Sequence, residues 1–168
     1  MNKIRLAVIF DQKLNDGGGY QQSINDAQSV QKLNDELVDV KFYTIFKENL
    51  PLLNKKSINC KLLKITIYSR IISLARKNIL NGRFLNLLKK ICKYTKIEKQ
   101  LVNDNIDLVY FLSPSNLAYE LENLNFIITV WDLCHRDELE FPEVRFSKEF
   151  ERRELFLKNI LPKSVAVI

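Results

Sequence analysis

The chain has 168 residues, 26 Lys and Arg against 20 Asp and Glu, and a hydrophobic share of 46%. Those values exclude a disordered chain, a collagen and a coiled coil, and they predict one ordinary globular domain. The net charge of +6 hides a split: residues 55–99 hold 13 bases and one acid (+12), which leaves 13 bases and 19 acids (−6) elsewhere.

Residues 4–10 (IRLAVIF) form a near-continuous apolar run of strand length, as expected of a strand buried on both faces. Asp11 follows at once and no small-residue cleavage site comes after it, so the run does not read as a signal peptide. The loop of residues 11–19 holds three of the chain's four glycines, Gly17, Gly18 and Gly19. Average usage would give about 12 glycines in this length. A chain that avoids glycine and then places three together needs a special backbone there.

Residues 20–33 carry Ile24, Ala27, Val30 and Leu33 at helical spacing, and residues 38–46 (VDVKFYTIF) alternate as a second strand. Pro51 is expected to break the chain before the basic segment. That segment, about residues 55–101, reads as two amphipathic helices, one from Leu63 and one from Phe84, although residues 61–68 also fit the start of a strand. On the second helix Lys89, Lys93 and Lys96 gather opposite the apolar stripe, within about 60° on a helical wheel. Such a face is either simply solvated or docks on an anionic membrane surface. No RNA-binding, zinc-finger or helix-turn-helix pattern supports a nucleic-acid partner.

Residues 107–113 (DLVYFLS) and 126–131 (FIITVW) read as the third and fourth strands, residues 148–161 as a helix and residues 164–168 (SVAVI) as another strand. Apolar strands alternating with helices predict one α/β domain of the Rossmann-like, doubly wound kind, with a mainly parallel sheet. Ligands of such sheets bind beyond the carboxyl ends of the strands. The glycine loop, residues 113–116 and residues 132–135 all fall at that edge.

The glycine loop matches neither a dinucleotide fingerprint, because Gln22 stands where a third glycine belongs, nor a P-loop. It is either a bare-backbone approach to a phosphate or sugar, or a flexible turn with a helix cap. His135, the chain's single histidine, follows Asp132 just beyond the fourth strand. It can accept a proton or donate a hydrogen bond, with Asp132 orienting it or touching substrate; a structural role is the alternative. Ser113 and Ser115 flank Pro114 without a hydrolase elbow and read as pocket-lining residues. Glu138, Glu140, Glu143, Glu151 and Glu154, mixed with Arg136, Arg145, Arg152 and Arg153, read as surface ion pairs.

Cys60, Cys92 and Cys134 lie 32 and 42 residues apart, which suits reduced cytosolic thiols better than disulfides or zinc. Neither a metal nor a cofactor is expected. The longest stretch without a formal charge, residues 108–119, is too short to span a membrane.

The string Trp131-Asp132-Leu133-Cys134-His135 is followed by Phe141-Pro142-Glu143-Val144, by Arg152-Arg153-Glu154 and by Ala166-Val167-Ile168. In this order the segments resemble the acceptor half of group 1 (family 4) glycosyltransferases, strongly over residues 126–168 and moderately over residues 4–33. The resemblance implies the N-terminal, acceptor-side domain of a GT-B enzyme. Such an enzyme transfers sugar with retention from a nucleotide-sugar donor to a polysaccharide or lipid-linked acceptor, without requiring a metal. It further implies that Gly17, Gly18 and Gly19 approach the reaction centre and that His135, with Asp132, serves catalysis. The donor-binding domain is absent from these residues, so the isolated chain is expected to be inactive. A truncated frame or a separate donor-domain chain would account for this, and a cytoplasmic protein resting on the inner membrane face is expected. The alternative is a non-catalytic α/β module for a phosphorylated or sugar ligand.

Overall fold

A computed structural model describes residues 3–14, 19–65, 94–138, 140, 144 and 148–168. The two helices expected within the basic segment lie largely outside the described residues, as do Gly17, Gly18, Lys89 and Lys93.

Six parallel strands make one sheet: β1 (Ile4–Phe10), β2 (Val38–Thr44), β3 (Cys60–Leu62), β4 (Leu108–Phe111), β5 (Asn125–Ile128) and β6 (Ala166–Val167). Their order is β3-β2-β1-β4-β5-β6, the doubly wound arrangement in which the chain switches direction between β1 and β4. This is the α/β, Rossmann-like fold that the alternation of apolar runs predicts. Among the described residues five helices accompany it: α1 (Gly19–Val30), α2 (Asn49–Lys55), α3 (Lys96–Asn103), α4 (Cys134–Asp137) and α5 (Glu149–Ile160).

The central strand explains why both faces are apolar. Leu6, Val8 and Phe10 of β1 pack with Ile24 and Ala27 of α1 and Leu53 of α2. Ala7 and Ile9 enter the opposite layer with Ile97 and Leu101 of α3 and Phe156, Leu157 and Ile160 of α5. A strand that alternates between two dry layers has no polar face, hence the unbroken run IRLAVIF.

Three expectations need correction. Pro51 does not break the chain; it sits in the first turn of α2, where a missing N–H costs no helical bond. The helix expected from Leu63 does not begin there, because Cys60–Leu62 pairs with β2 as the edge strand. Lys96 does not belong to the helix expected from Phe84: Thr95 is extended and its hydroxyl accepts from Glu98 N, so exposed Lys96 opens α3. Among the described residues no helix is long and apolar enough to cross a membrane.

Candidate functional site

Buried strands end where their backbone must meet water, and here four strand ends converge on a cavity of about 540 Å³. Asp11 and Gln12 come from the end of β1, Ile45 from β2, Ser113, Pro114, Asn116 and Leu117 from β4 and Val130 to Asp132 with His135 from β5. Glu149, Arg152, Arg153, Phe156 and Leu157 of α5 close the remaining side. The cavity therefore lies at the carboxyl edge, beside the switch point.

Residues 11–14, which follow β1, are tied to α1, β2 and α2. Buried Asn49 accepts from Leu14 N at 3.0 Å and donates to Gln12 O at 2.8 Å and to Thr44 Oγ1 at 3.0 Å. Gln12 Nε2 in turn donates to Ser23 Oγ at 2.9 Å on α1. Across the switch point Ser113 Oγ donates to Asp11 Oδ1, and the Ser115 hydroxyl also favours the ionised Asp11. Burial nevertheless dominates and pushes the Asp11 carboxyl pKa above its ordinary value.

His135 is buried, 1% exposed, in the short helix α4. Asp132 starts that turn by accepting from Cys134 N at 3.1 Å. His135 Nε2 lies 2.8 Å from Glu154 Oε1, and its ring packs 5.6 Å from the Phe150 ring centroid. Arg136 grips the same carboxylate with Nε at 2.7 Å and Nη2 at 2.9 Å. These contacts hold the Glu154 pKa down to about 2, through the Arg136 bond first and the His135 bond second. A carboxylate only accepts, so in the neutral ring Nε2 carries the hydrogen and Nδ1 keeps its lone pair. Among the described residues Nδ1 has no partner.

Trp131, 39% exposed, packs its indole on Gly19 at the start of α1. A Cβ built on Gly19 would lie 2.6 Å from Trp131 Cζ3, so the requirement for glycine here is space. The two guanidiniums of the cavity are already paired. Arg152 meets Glu149; Arg153 donates to Glu149 Oε1 at 2.9 Å and lies 3.8 Å from Asp132.

The fold thus brings Asp132, His135 and Ser113 into one cavity, with Gly19 behind Trp131. Ser115 does not line it; fully buried, it accepts from Leu117 N at 3.1 Å and caps a 3-10 turn over Asn116–Glu120. Lys96 lies on α3, away from the lining residues. Asp11 and Glu149 are missing from the sequence-based set. A carboxylate directly after a buried strand was the available signal for Asp11; Glu149 carries none. Among the described residues no group of three His, Cys, Asp or Glu is placed to hold a metal ion.

Two exposed ion pairs set an expected pH profile. The Glu154 pKa falls from 4.5 to about 2, and the Arg5 guanidinium lowers that of Asp107 from 3.8 to about 2. Folded values below the unfolded ones mean stability that is present above about pH 4.5 and lost as pH falls towards 2. Thermal melts should show that decline, and Glu154→Gln should make it shallower. An identical acid limb in the variant would remove Glu154 from the account.

No family model matches the chain, and no curated protein matches it. A solved structure with some likeness is formyltetrahydrofolate deformylase from Burkholderia mallei ATCC 23344, with 11% identity and a TM-score of 0.31. The match covers 71% of this chain and 36% of that one. A likeness so slight says nothing of this chain's chemistry.

Proposed function

We propose that this cavity is the acceptor side of a retaining glycosyl-transfer site. In this reading the protein is cytoplasmic and helps to build a cell-surface polysaccharide or a glycolipid from a nucleotide-sugar donor. The resemblance to group 1 (family 4) glycosyltransferases supports it, because two of the resembling segments meet at the cavity. Trp131, Asp132 and His135 line the cavity, Arg152 and Arg153 close it, and Glu154 holds His135. The carrying observation is His135 itself: a buried ring at the cavity, fixed at Nε2 by a carboxylate and unpartnered at Nδ1 among the described residues.

In this reading His135 Nδ1 accepts a hydrogen bond from a sugar hydroxyl, and Glu154 keeps the ring in the tautomer and orientation that allow it. Arg136 holds Glu154 ionised. The donor's nucleotide requires a second wall, so the 168 residues alone are expected to turn over no nucleotide sugar. The +12 segment rests on the acidic inner leaflet, worth on the order of 1 kcal/mol per basic residue near the surface.

Disrupting the coding sequence in its source organism should remove or shorten a surface glycan. His135→Ala should fail to restore it, with transfer reduced about 100-fold or more. In the same cells the protein should fractionate with membranes and be released by salt. An unchanged glycan profile overturns the transfer reading, and turnover by the purified 168 residues overturns the single-wall assignment. A soluble distribution at low salt detaches the basic segment from the membrane.

A further inference from the structure

The charge and hydrogen-bonding character of the cavity narrow what it can hold. Its described lining has three carboxylates, from Asp11, Asp132 and Glu149, against two guanidiniums, from Arg152 and Arg153. Both guanidiniums already face carboxylates, so a phosphate drawn to them would meet Glu149 and Asp132 as well. The other place for an anion beside a switch point is the first turn of the helix after β1. Here the Trp131 indole packs on Gly19, the first residue of that helix.

Beside the Gln12 and Asn116 amides, what the lining offers is acceptors. An ionised carboxyl has about four lone-pair positions; Ser113, Ser115 and the Asp11 backbone N–H use some of those on Asp11, and what is left can accept. His135 Nδ1, buried and unpartnered among the described residues, is a second acceptor in the neutral ring. Hydroxyl groups donate to such atoms, whereas an ionised phosphate has nothing to donate. Burial works against the charge on Asp11, and a hydroxyl donor would relieve that cost. Trp131 adds an apolar face suited to the C–H side of a pyranose ring.

We propose that the cavity binds an uncharged sugar residue, with Asp11 accepting from its hydroxyls, and that it does not bind a phosphorylated group. This deepens the acceptor-side reading and rests on it for the identity of the ligand as acceptor. Asp11 is then the specificity-determining residue, and the acceptor ends in a neutral sugar.

Trp131 is the chain's single tryptophan, so its emission reports directly on the cavity. The purified chain is titrated with methyl α-glucoside, methyl α-galactoside and methyl α-mannoside, and separately with inorganic phosphate and glucose 1-phosphate. At least one methyl glycoside should change the emission saturably, and inorganic phosphate should neither mimic nor displace it. Asp11→Asn, whose amide oxygen still accepts from Ser113, should weaken that glycoside about tenfold or more. Should this variant not fold, Ser113→Ala, which frees the carboxylate's orientation, is expected to weaken it several-fold.

The inference fails if no methyl glycoside moves the emission, if phosphate or glucose 1-phosphate saturates the site, or if the folded variants bind like the parent. Glycoside binding with an unchanged surface glycan would keep this site and sink the transfer reading in favour of a binding module. A lost surface glycan with phosphate in the cavity would do the reverse.

Discussion

Glu98→Ala should lower the stability of the chain by about 3 kcal/mol or more, a large share of what a domain of this size possesses. Glu98 is fully buried on α3, and its Oε1 accepts from three consecutive backbone amides: Glu122 at 2.8 Å, Asn123 at 2.6 Å and Leu124 at 3.1 Å. Those amides form the turn that leads into β5. Alanine would take away the acceptor that all three amides share. Glu98→Gln keeps one acceptor oxygen and should lose closer to 1 kcal/mol. Urea unfolding midpoints at constant slope measure both changes. A loss below 1 kcal/mol for alanine would mean that the turn is held by something other than Glu98.

Gly19→Val should expose the cavity by expelling Trp131. The built Cβ already overlaps the indole, and the two further methyl groups deepen the clash. Overpacking of this kind costs about 1–3 kcal/mol, relieved here by rotating a ring that is 39% exposed. Stability should therefore fall only modestly while the emission shifts to the red and acrylamide quenching rises. Methyl glycoside binding should fall with it. Unchanged quenching in a folded variant would show that Trp131 does not depend on Gly19 for its place.

Much of the fold was legible because both layers demand apolar strands. The run IRLAVIF names β1 to the residue, and DLVYFLS and FIITVW mark β4 and β5 with ends one to three residues out. A strand starting near residue 61 was one of two readings of its segment, and the bounds Cys60–Leu62 were not legible, since three residues with a central lysine show no period; they come from β2 alongside. The start of α3 carried a readable sign, Thr95 and Glu98 spaced as in a capping box. The Thr95 half holds, for its hydroxyl accepts from Glu98 N, but the Glu98 side chain crosses to another segment instead of returning to the cap.

The site was legible in part for the same reason. His135, Asp132 and Ser113 follow strand ends, and strand ends of a parallel sheet share one edge. Glu154 read as a surface ion pair, and with Arg136 it is one. Its second contact, the one that holds His135, spans 19 residues and depends on α5 returning beside α4, which no local pattern encodes. Asp11 was passed over as the residue that ends a strand. Only its burial between β1 and β4 distinguishes it from any loop aspartate.

The sheet order also governs when the cavity can come into being. β1 pairs on one side with β2, Ile4 opposite Val38, and on the other with β4, Leu6 opposite Leu108. The first closure spans 34 residues and the second 102, which costs about 1 kcal/mol more in chain entropy. A chain emerging from the ribosome can zip β1 to β2 and β2 to β3 well before β4 has been made. The hydroxyl of Ser113 reaches Asp11 only after the longer closure. Until then the carboxyl stays in water, so the cavity is completed late, when the two halves of the sheet join.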